Sequence, residues 1–161
     1  MSSEEVKKAI ANLPRFSLIT FTGGEAFMKS DFMDILEFAT RKHKVHVITN
    51  GTTLSEKVVD DLMRLRLKSS WGAGLFYMGV SLEGSEALHD AITTIPGSFK
   101  KTTQGLERLI AKRKELKSRF PLIHLTCVIN QGNVEELVPL YDYSSKLGVD
   151  VANYVVNSPA T

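Results

Sequence analysis

Five short apolar runs, each followed or preceded by a longer amphipathic segment, constrain this chain more than any other feature. The runs are Ser17–Thr22 (SLITFT), Lys44–Thr49 (KVHVIT), Phe76–Ser81 (FYMGVS), Leu122–Ile129 (LIHLTCVI) and Val149–Val156 (VDVANYVV). Several are rich in Val, Ile, Phe and Tyr and all are too short for free-standing helices, so they are expected as strands. The intervening segments repeat apolar residues at helical spacing. Asp31–Arg41 aligns Phe32, Ile35, Leu36 and Ala39; Ser55–Leu67 aligns Val58, Val59, Leu62 and Leu65; Phe99–Ser118 aligns Leu106, Leu109 and Ile110. A further helix is expected over Ser3–Leu13, where Ser2 and Glu5 have the spacing of a capping box. Another is expected over Val134–Leu147, stopped by Gly148 as a left-handed cap.

Strands separated by helix-length segments pair in parallel through right-handed crossovers. This predicts an α/β fold, either a doubly wound sheet or an arc of a β/α barrel; periodicity does not separate the two. The chain has 161 residues, 43% of them hydrophobic, and no linker or low-complexity stretch, so a single domain over residues 1–161 is expected. Twenty Lys and Arg against eighteen Asp and Glu leave a net charge of +2. That balance carries no signature of a nucleic-acid binder, and the basic run Lys112–Lys117 is expected as a solvated helix face. The charged N-terminus lacks an apolar signal core and no run is long enough to span a bilayer, which makes the cytoplasm the expected location.

In parallel α/β folds the ligand site lies beyond the C-terminal ends of the strands. Here those exits are Thr22-Gly23-Gly24-Glu25, Thr49-Asn50-Gly51-Thr52, Ser81-Leu82-Glu83-Gly84, Asn130-Gln131-Gly132-Asn133 and Asn157-Ser158. Gly23-Gly24 lets a ligand approach the backbone, Glu25 can accept from an ammonium group, and Glu83 from a ribose diol. The chemistry offered is recognition of a polar, zwitterionic or hydroxylated small molecule. No nucleophile stands with a base, so no catalytic residue is assigned. Gly51 and Gly84 are expected to serve turns, and His89 and Asp90 to cap a short helix. His43, His46 and His124 show no metal-ligand spacing and are expected on the surface or on strand faces. The single cysteine, Cys127, alternates with apolar neighbours and is expected to be a buried, inert thiol.

Taken together, Thr22-Gly23-Gly24-Glu25, Thr49-Asn50-Gly51, Ser81-Leu82-Glu83-Gly84, His89-Asp90, Gly97-Ser98-Phe99 and Asn133-Val134-Glu135-Glu136-Leu137 resemble the radical S-adenosylmethionine (radical SAM) superfamily. The likeness is to the branch that matures peptides and builds redox cofactors, and it runs from about Ser3 to about Val156. It implies a parallel partial β/α barrel of about five βα units. It also implies reductive cleavage of S-adenosylmethionine to a 5′-deoxyadenosyl radical. Carried onto this chain, Gly23, Gly24 and Glu25 would hold the methionyl amino group. Ser81 and Glu83 would lie near the ribose or the methionyl carboxylate, Asn50 near the nucleoside, and Ile129 and Asn130 near the adenine or ribose.

Three positions depart from the family's pattern. Ala26 stands where a proline usually follows GGE, and Thr93 and Thr94 occupy the stretch where an arginine often follows His-Asp. The third departure is the CxxxCxxC motif, which in the family lies upstream of GGE and is missing from this sequence. One cysteine holds neither a disulfide within the chain nor a zinc site or a [4Fe–4S] cluster of its own. The expectation is therefore a fragment of a longer radical SAM oxidoreductase, inactive alone, whose cluster belongs to the parent protein; no metal ligand is assigned here. The alternatives are a degenerate module that binds S-adenosylmethionine or a nucleotide without catalysis, and a structural or oligomerisation domain. The expected partners are S-adenosylmethionine and an unidentified substrate, with neither nucleic acid nor membrane. Removal of a first strand would expose the edge of Ser17–Thr22, and pairing of copies through that edge is expected.

Overall fold

The structure is a computed structural model that describes residues 1–15 and 17–156. Helix α1 (Ser3–Ala11) opens on the capping box expected from sequence: Ser2 accepts from Glu5 N–H while Glu5 accepts from Ser2 N–H. The strands are β1 (Leu18–Phe21), β2 (Lys44–Thr49), β3 (Gly74–Ser81), β4 (Leu122–Ile129) and β5 (Val151–Val156). Between them lie α2 (Phe32–Thr40), α3 (Glu56–Arg64), α4 (Glu86–Thr93), α5 (Ser98–Glu115) and α6 (Leu137–Leu147), with 3-10 turns at Ala26–Met28 and Val134–Glu136. All four pairings are parallel and the order is β1-β2-β3-β4-β5.

That order settles what periodicity left open. A doubly wound sheet reverses direction at a switch point and so collects helices on both faces. Here every crossover steps the same way, and right-handedness then places every helix on one face. Burial agrees. Val45, Val47, Met78, Val80, Ile123, Leu125 and Cys127 pack into one core with Phe32, Leu36, Leu62, Leu106, Leu109 and Leu140. The alternate residues of the same strands form an inner face outside that core. The chain is an arc of a β/α barrel.

Several boundaries moved for local reasons. The helix expected over Ser55–Leu67 ends at Arg64 because Leu67 N–H bonds to the Leu75 carbonyl and Leu75 N–H to the Leu65 carbonyl, drawing 65–67 alongside β3. The strand expected from Val149 begins at Val151 because the Asp150 carboxylate takes the Ile123 N–H (2.7 Å) at the strand's entry. The segment Val134–Leu147 splits into a 3-10 turn and α6, with Pro139 in the first turn of the helix where no intrahelical donor is lost.

Three expectations are corrected. His89 and Asp90 lie inside α4 rather than at its cap; Asp90 instead caps the next helix, accepting from Gly97 N–H (2.5 Å), Phe99 N–H (2.8 Å) and Ser98 Oγ (2.9 Å). Those donors, Phe99 N–H first, hold its carboxyl below the usual range. Arg113 does not share the solvated face of α5. It is buried, ion-paired to Asp150, and donates to the Pro121 carbonyl (3.0 Å), which ties α5 to the entries of β4 and β5. His43 is buried at 2% exposure, not on the surface. Among the described residues, no helix is long and apolar enough to cross a membrane.

Candidate functional site

The C-terminal ends of β1 and β2, and those of β3 and β4, are joined by carboxylates that accept from the neighbouring strand's exit. Glu25 is the first brace. Its carboxylate accepts from Asn50 N–H (2.8 Å), from the Thr49 hydroxyl (2.9 Å) and from Phe27 N–H (3.1 Å). Those three donors use most of the roughly four acceptor positions of a carboxylate and leave about one for a ligand. Asn50 in turn closes a tight turn, its Oδ1 accepting from Thr52 N–H (2.9 Å) and Thr52 Oγ1 (2.7 Å). The Thr102 hydroxyl of α5 holds the Asn50 carbonyl (2.7 Å).

Glu83 is the second brace, just past Ser81 at the end of β3. Its Oε2 accepts from Val128 N–H of β4 (2.9 Å), and its own N–H donates to His89 Nδ1 (3.2 Å). Burial raises the Glu83 carboxyl above its usual value, only partly offset by the Val128 and Cys127 hydrogen bonds. Burial likewise lowers His89, which therefore suits its acceptor role. Asn133 was not singled out from sequence. Fully buried, it donates to the Val128 (2.9 Å) and Glu83 (3.2 Å) carbonyls and pins the two exits together. In the sequence it stands in the exit after β4 and opens the family-like segment Asn133–Leu137, but neither gives it this role.

The glycines separate into two kinds. Gly51 (φ +76°) and Gly84 (φ +150°) sit against neighbours: a Cβ would meet Val80 Cγ1 at 3.0 Å in the first case and Leu88 Cδ2 at 2.9 Å in the second. These serve the turns, as expected. Gly23 needs its positive φ of +121° yet has open space where a side chain would stand. Gly24 has neither a positive φ nor any atom within 4 Å of its would-be Cβ. Neither its backbone conformation nor its packing calls for glycine at position 24.

The remaining expected residues are less concentrated. Ser81 closes β3 on the inner face, level with Thr126 of β4. Asn130 follows β4 and its Oδ1 accepts from Gly132 N–H (2.8 Å). Ile129 ends β4 opposite Val156, and strand alternation puts it with Cys127 on the helix face rather than on the inner one. Asn157-Ser158 lies outside the described residues. A cavity of about 710 Å³ occurs at the opposite end of the sheet, lined by Arg15, Arg41, Lys44 and Trp71. It receives none of the strand exits.

Cys127 is fully buried, and burial together with the Glu83 carboxylate pushes its thiol up to about 11. It is the chain's one cysteine, and the described residues hold no group of three or more His, Cys, Asp or Glu able to hold a metal. The side chains present do not fit a [4Fe–4S] cluster.

A one-directional β/α arc whose strand exits form a glycine-lined, carboxylate-braced rim defines a partial β/α barrel of the TIM type. Within that class, residues 1–144 match the family described as the Radical SAM superfamily, and the chain belongs to it. The family uses S-adenosylmethionine and a [4Fe–4S] cluster. The Fe-coproporphyrin III synthase of Methanosarcina barkeri is 32% identical over 88% of this chain and 33% of its own length. The AdoMet-dependent heme synthase of the same organism is 26% identical over 92% of the chain and 39% of its own length. The chain thus spans between a third and two-fifths of those curated relatives. Among solved structures, Streptococcus suis SuiB bound to S-adenosylmethionine superposes with a TM-score of 0.70 over the whole chain and 35% of that protein. At 15% identity this likeness shows the fold alone.

Proposed function

We propose that residues 1–161 act as one domain that supplies the S-adenosylmethionine-binding rim of a radical SAM oxidoreductase. The observation that carries this reading is Gly24, a glycine that neither backbone conformation nor packing calls for, beside a carboxylate with one acceptor position left. Gly23 and Gly24 would admit the methionyl end to backbone contact, and Glu25 would accept from its ammonium. Ser81 and Glu83 would lie toward the ribose or carboxylate, and Asn50 and Asn130 around the nucleoside, with Ile129, whose side chain faces the helices, contributing there only through its backbone. S-adenosylmethionine supplies, in this family, the 5′-deoxyadenosyl group that becomes a hydrogen-abstracting radical on one-electron reduction.

No step of that reduction is assigned to this chain, because its side chains do not fit the cluster that would deliver the electron. Binding without catalysis is the behaviour expected of the isolated protein. Isothermal calorimetry with S-adenosylmethionine tests it: saturable one-to-one binding is expected, and no heat of binding at millimolar ligand would overturn the reading. Anaerobic reconstitution with iron and sulfide is expected to leave no stoichiometric [4Fe–4S] absorbance.

A second reading concerns association. β1 is an edge strand of the described sheet, with Leu18 53% exposed. Unpaired edges template strand addition. Sedimentation at rising concentration is expected to reveal dimers or larger species, and a strictly monomeric profile would count against this reading.

A further inference from the structure

The inner face carries a hydrogen-bonded chain that the rim does not use. It runs from Thr20 Oγ1 to His46 Nδ1 (3.3 Å), from His46 Nε2 to His124 Nε2 (2.7 Å), and from His124 Nδ1 to Thr126 Oγ1 (3.1 Å). It spans β1 to β4, and Gly79 of β3 is what lets it cross. A Cβ at position 79 would stand 2.5 Å from both Cε1 and Nε2 of His124. The Tyr77 ring flanks the pair, with its centroid 5.7 Å from that of His46 and 6.1 Å from that of His124.

An imidazole–imidazole bond of this length needs one donor and one acceptor, so the two Nε2 atoms share a single proton. Each outer Nδ1 meets a threonine hydroxyl, which donates or accepts as required. Either tautomer of the pair is therefore satisfied. Addition of one proton leaves the bridge intact and turns both Nδ1–H groups toward the threonines. A second would set two N–H groups against each other. The pair is built to carry zero or one positive charge.

Among the described residues, no counter-charge faces it. On the inner face β1 presents Thr20, β2 presents Lys44, β3 presents Tyr77 and Ser81, β4 presents Thr126, and β5 presents Asn153 by register. None is a carboxylate, and the helices pack on the other face. The carboxylates Glu25 and Glu83 sit at the rim and already accept from backbone N–H groups. Burial lowers His46 and, with the His46 charge adding to it, pushes His124 down to about 4. Near neutral pH the free pair is uncharged, and an anion set against it raises its affinity for a proton.

We propose that His46 and His124 form a docking site for the carboxylate of a small molecule laid against the inner face, one proton passing from solvent to the pair as the carboxylate binds, so that each Nδ1–H donates to its threonine and the Thr20 and Thr126 hydroxyls are free to donate to the carboxylate. No covalent bond changes. The inference rests on the rim reading, because it names the substrate class for the face beneath the S-adenosylmethionine site. Lys44, one inward-facing position before His46 on β2, sets its ammonium over the Phe76 ring, 5.2 Å from the centroid, so the charge offered to the carboxylate is that of the pair.

The test uses the intact chain, labelled with 15N, and acetate as the probe, with chloride holding ionic strength constant. At pH 5.5 acetate is expected to shift the ring-nitrogen signals of both histidines together and saturably. The apparent affinity is expected to fall by up to about tenfold per pH unit toward pH 8, as one coupled proton requires. His124→Gln is expected to abolish the response while retaining the hydrogen bond from one threonine, and Gly79→Ala to abolish it by displacing the ring. A wild-type response no stronger at pH 5.5 than at pH 8, or one surviving in His124→Gln, overturns the proposal. So do two rings titrating independently near 6.5. Calorimetry with S-adenosylmethionine on the same samples separates the two readings. Intact S-adenosylmethionine binding without an acetate response refutes the docking site, whereas an acetate response without S-adenosylmethionine binding refutes the rim.

Discussion

Gly105, in the middle of α5, is expected to reject alanine although helix propensity favours it. Alanine in a helix interior is better than glycine by about 1 kcal/mol. At position 105, however, the added Cβ would lie 2.3 Å from the Gly51 carbonyl oxygen and 3.0 Å from Leu54 Cβ. The oxygen is backbone and cannot rotate aside, and the loop that carries it is held by the Thr102–Asn50 hydrogen bond one turn earlier on the same helix. Overpacking of this kind costs about 1–3 kcal/mol, and a backbone contact lies at the upper end. The net expectation for Gly105→Ala is a loss of about 1–2 kcal/mol after the helix gain is subtracted. At about 2–4 °C per kcal/mol for a chain of this size, the melting temperature falls by about 2–8 °C. Because the displaced loop carries Asn50, affinity for S-adenosylmethionine is expected to fall as well. Differential scanning calorimetry with and without ligand reads both effects. A variant that melts higher than the wild type, as propensity alone predicts, would refute the packing of α5 on the β2 exit.

Two further outcomes follow from individual side chains. Asp90 caps α5 from within α4, and its carboxyl is held below the usual range chiefly by Phe99 N–H. A depressed carboxyl stabilises the fold above its unfolded value, near 3.9, and loses that contribution as pH falls through the folded value. Asp90→Ala is thus expected to be less stable than the wild type at pH 7, with the two urea-denaturation midpoints converging below about pH 3; a pH-independent gap would show that the charge does not cap the helix. Cys127 is expected to resist a thiol reagent such as dithionitrobenzoate at pH 8 in the native state and to react fully in denaturant, since burial both excludes the reagent and pushes the thiol up to about 11. Rapid native-state labelling would contradict its place in the core.

The strands were legible in the sequence because each is an unbroken β-rich run: β2 and β4 fall on the expected limits to the residue. Their order was not, since parallel arcs and doubly wound sheets use the same alternation and differ only in the direction of each crossover. The eight-residue α4 was visible only as a short helix around His89-Asp90, because Asp90 reads as a cap whichever helix it serves. At the rim, Gly23, Gly24 and Glu25 were legible because they follow a strand directly. Asn133 and Arg113 were not, because their partners are carbonyls and a carboxylate brought in by other elements. The pairing of His46 with His124, 78 residues apart, depends on the register of three strands and on the bare face of Gly79 between them. No spacing rule along the chain encodes that.

The central claim is that the rim opened by Gly24 receives S-adenosylmethionine. Its most direct test is a graded pair, Gly24→Ala and Gly24→Val, measured by calorimetry with S-adenosylmethionine and by thermal melting. Position 24 has empty space around it and no positive φ, so both variants are expected to melt within about 1–2 °C of the wild type, as surface substitutions away from packed features do. S-adenosylmethionine affinity is expected to fall progressively from glycine to alanine to valine. Unchanged affinity in Gly24→Val, with the fold intact, would contradict the account.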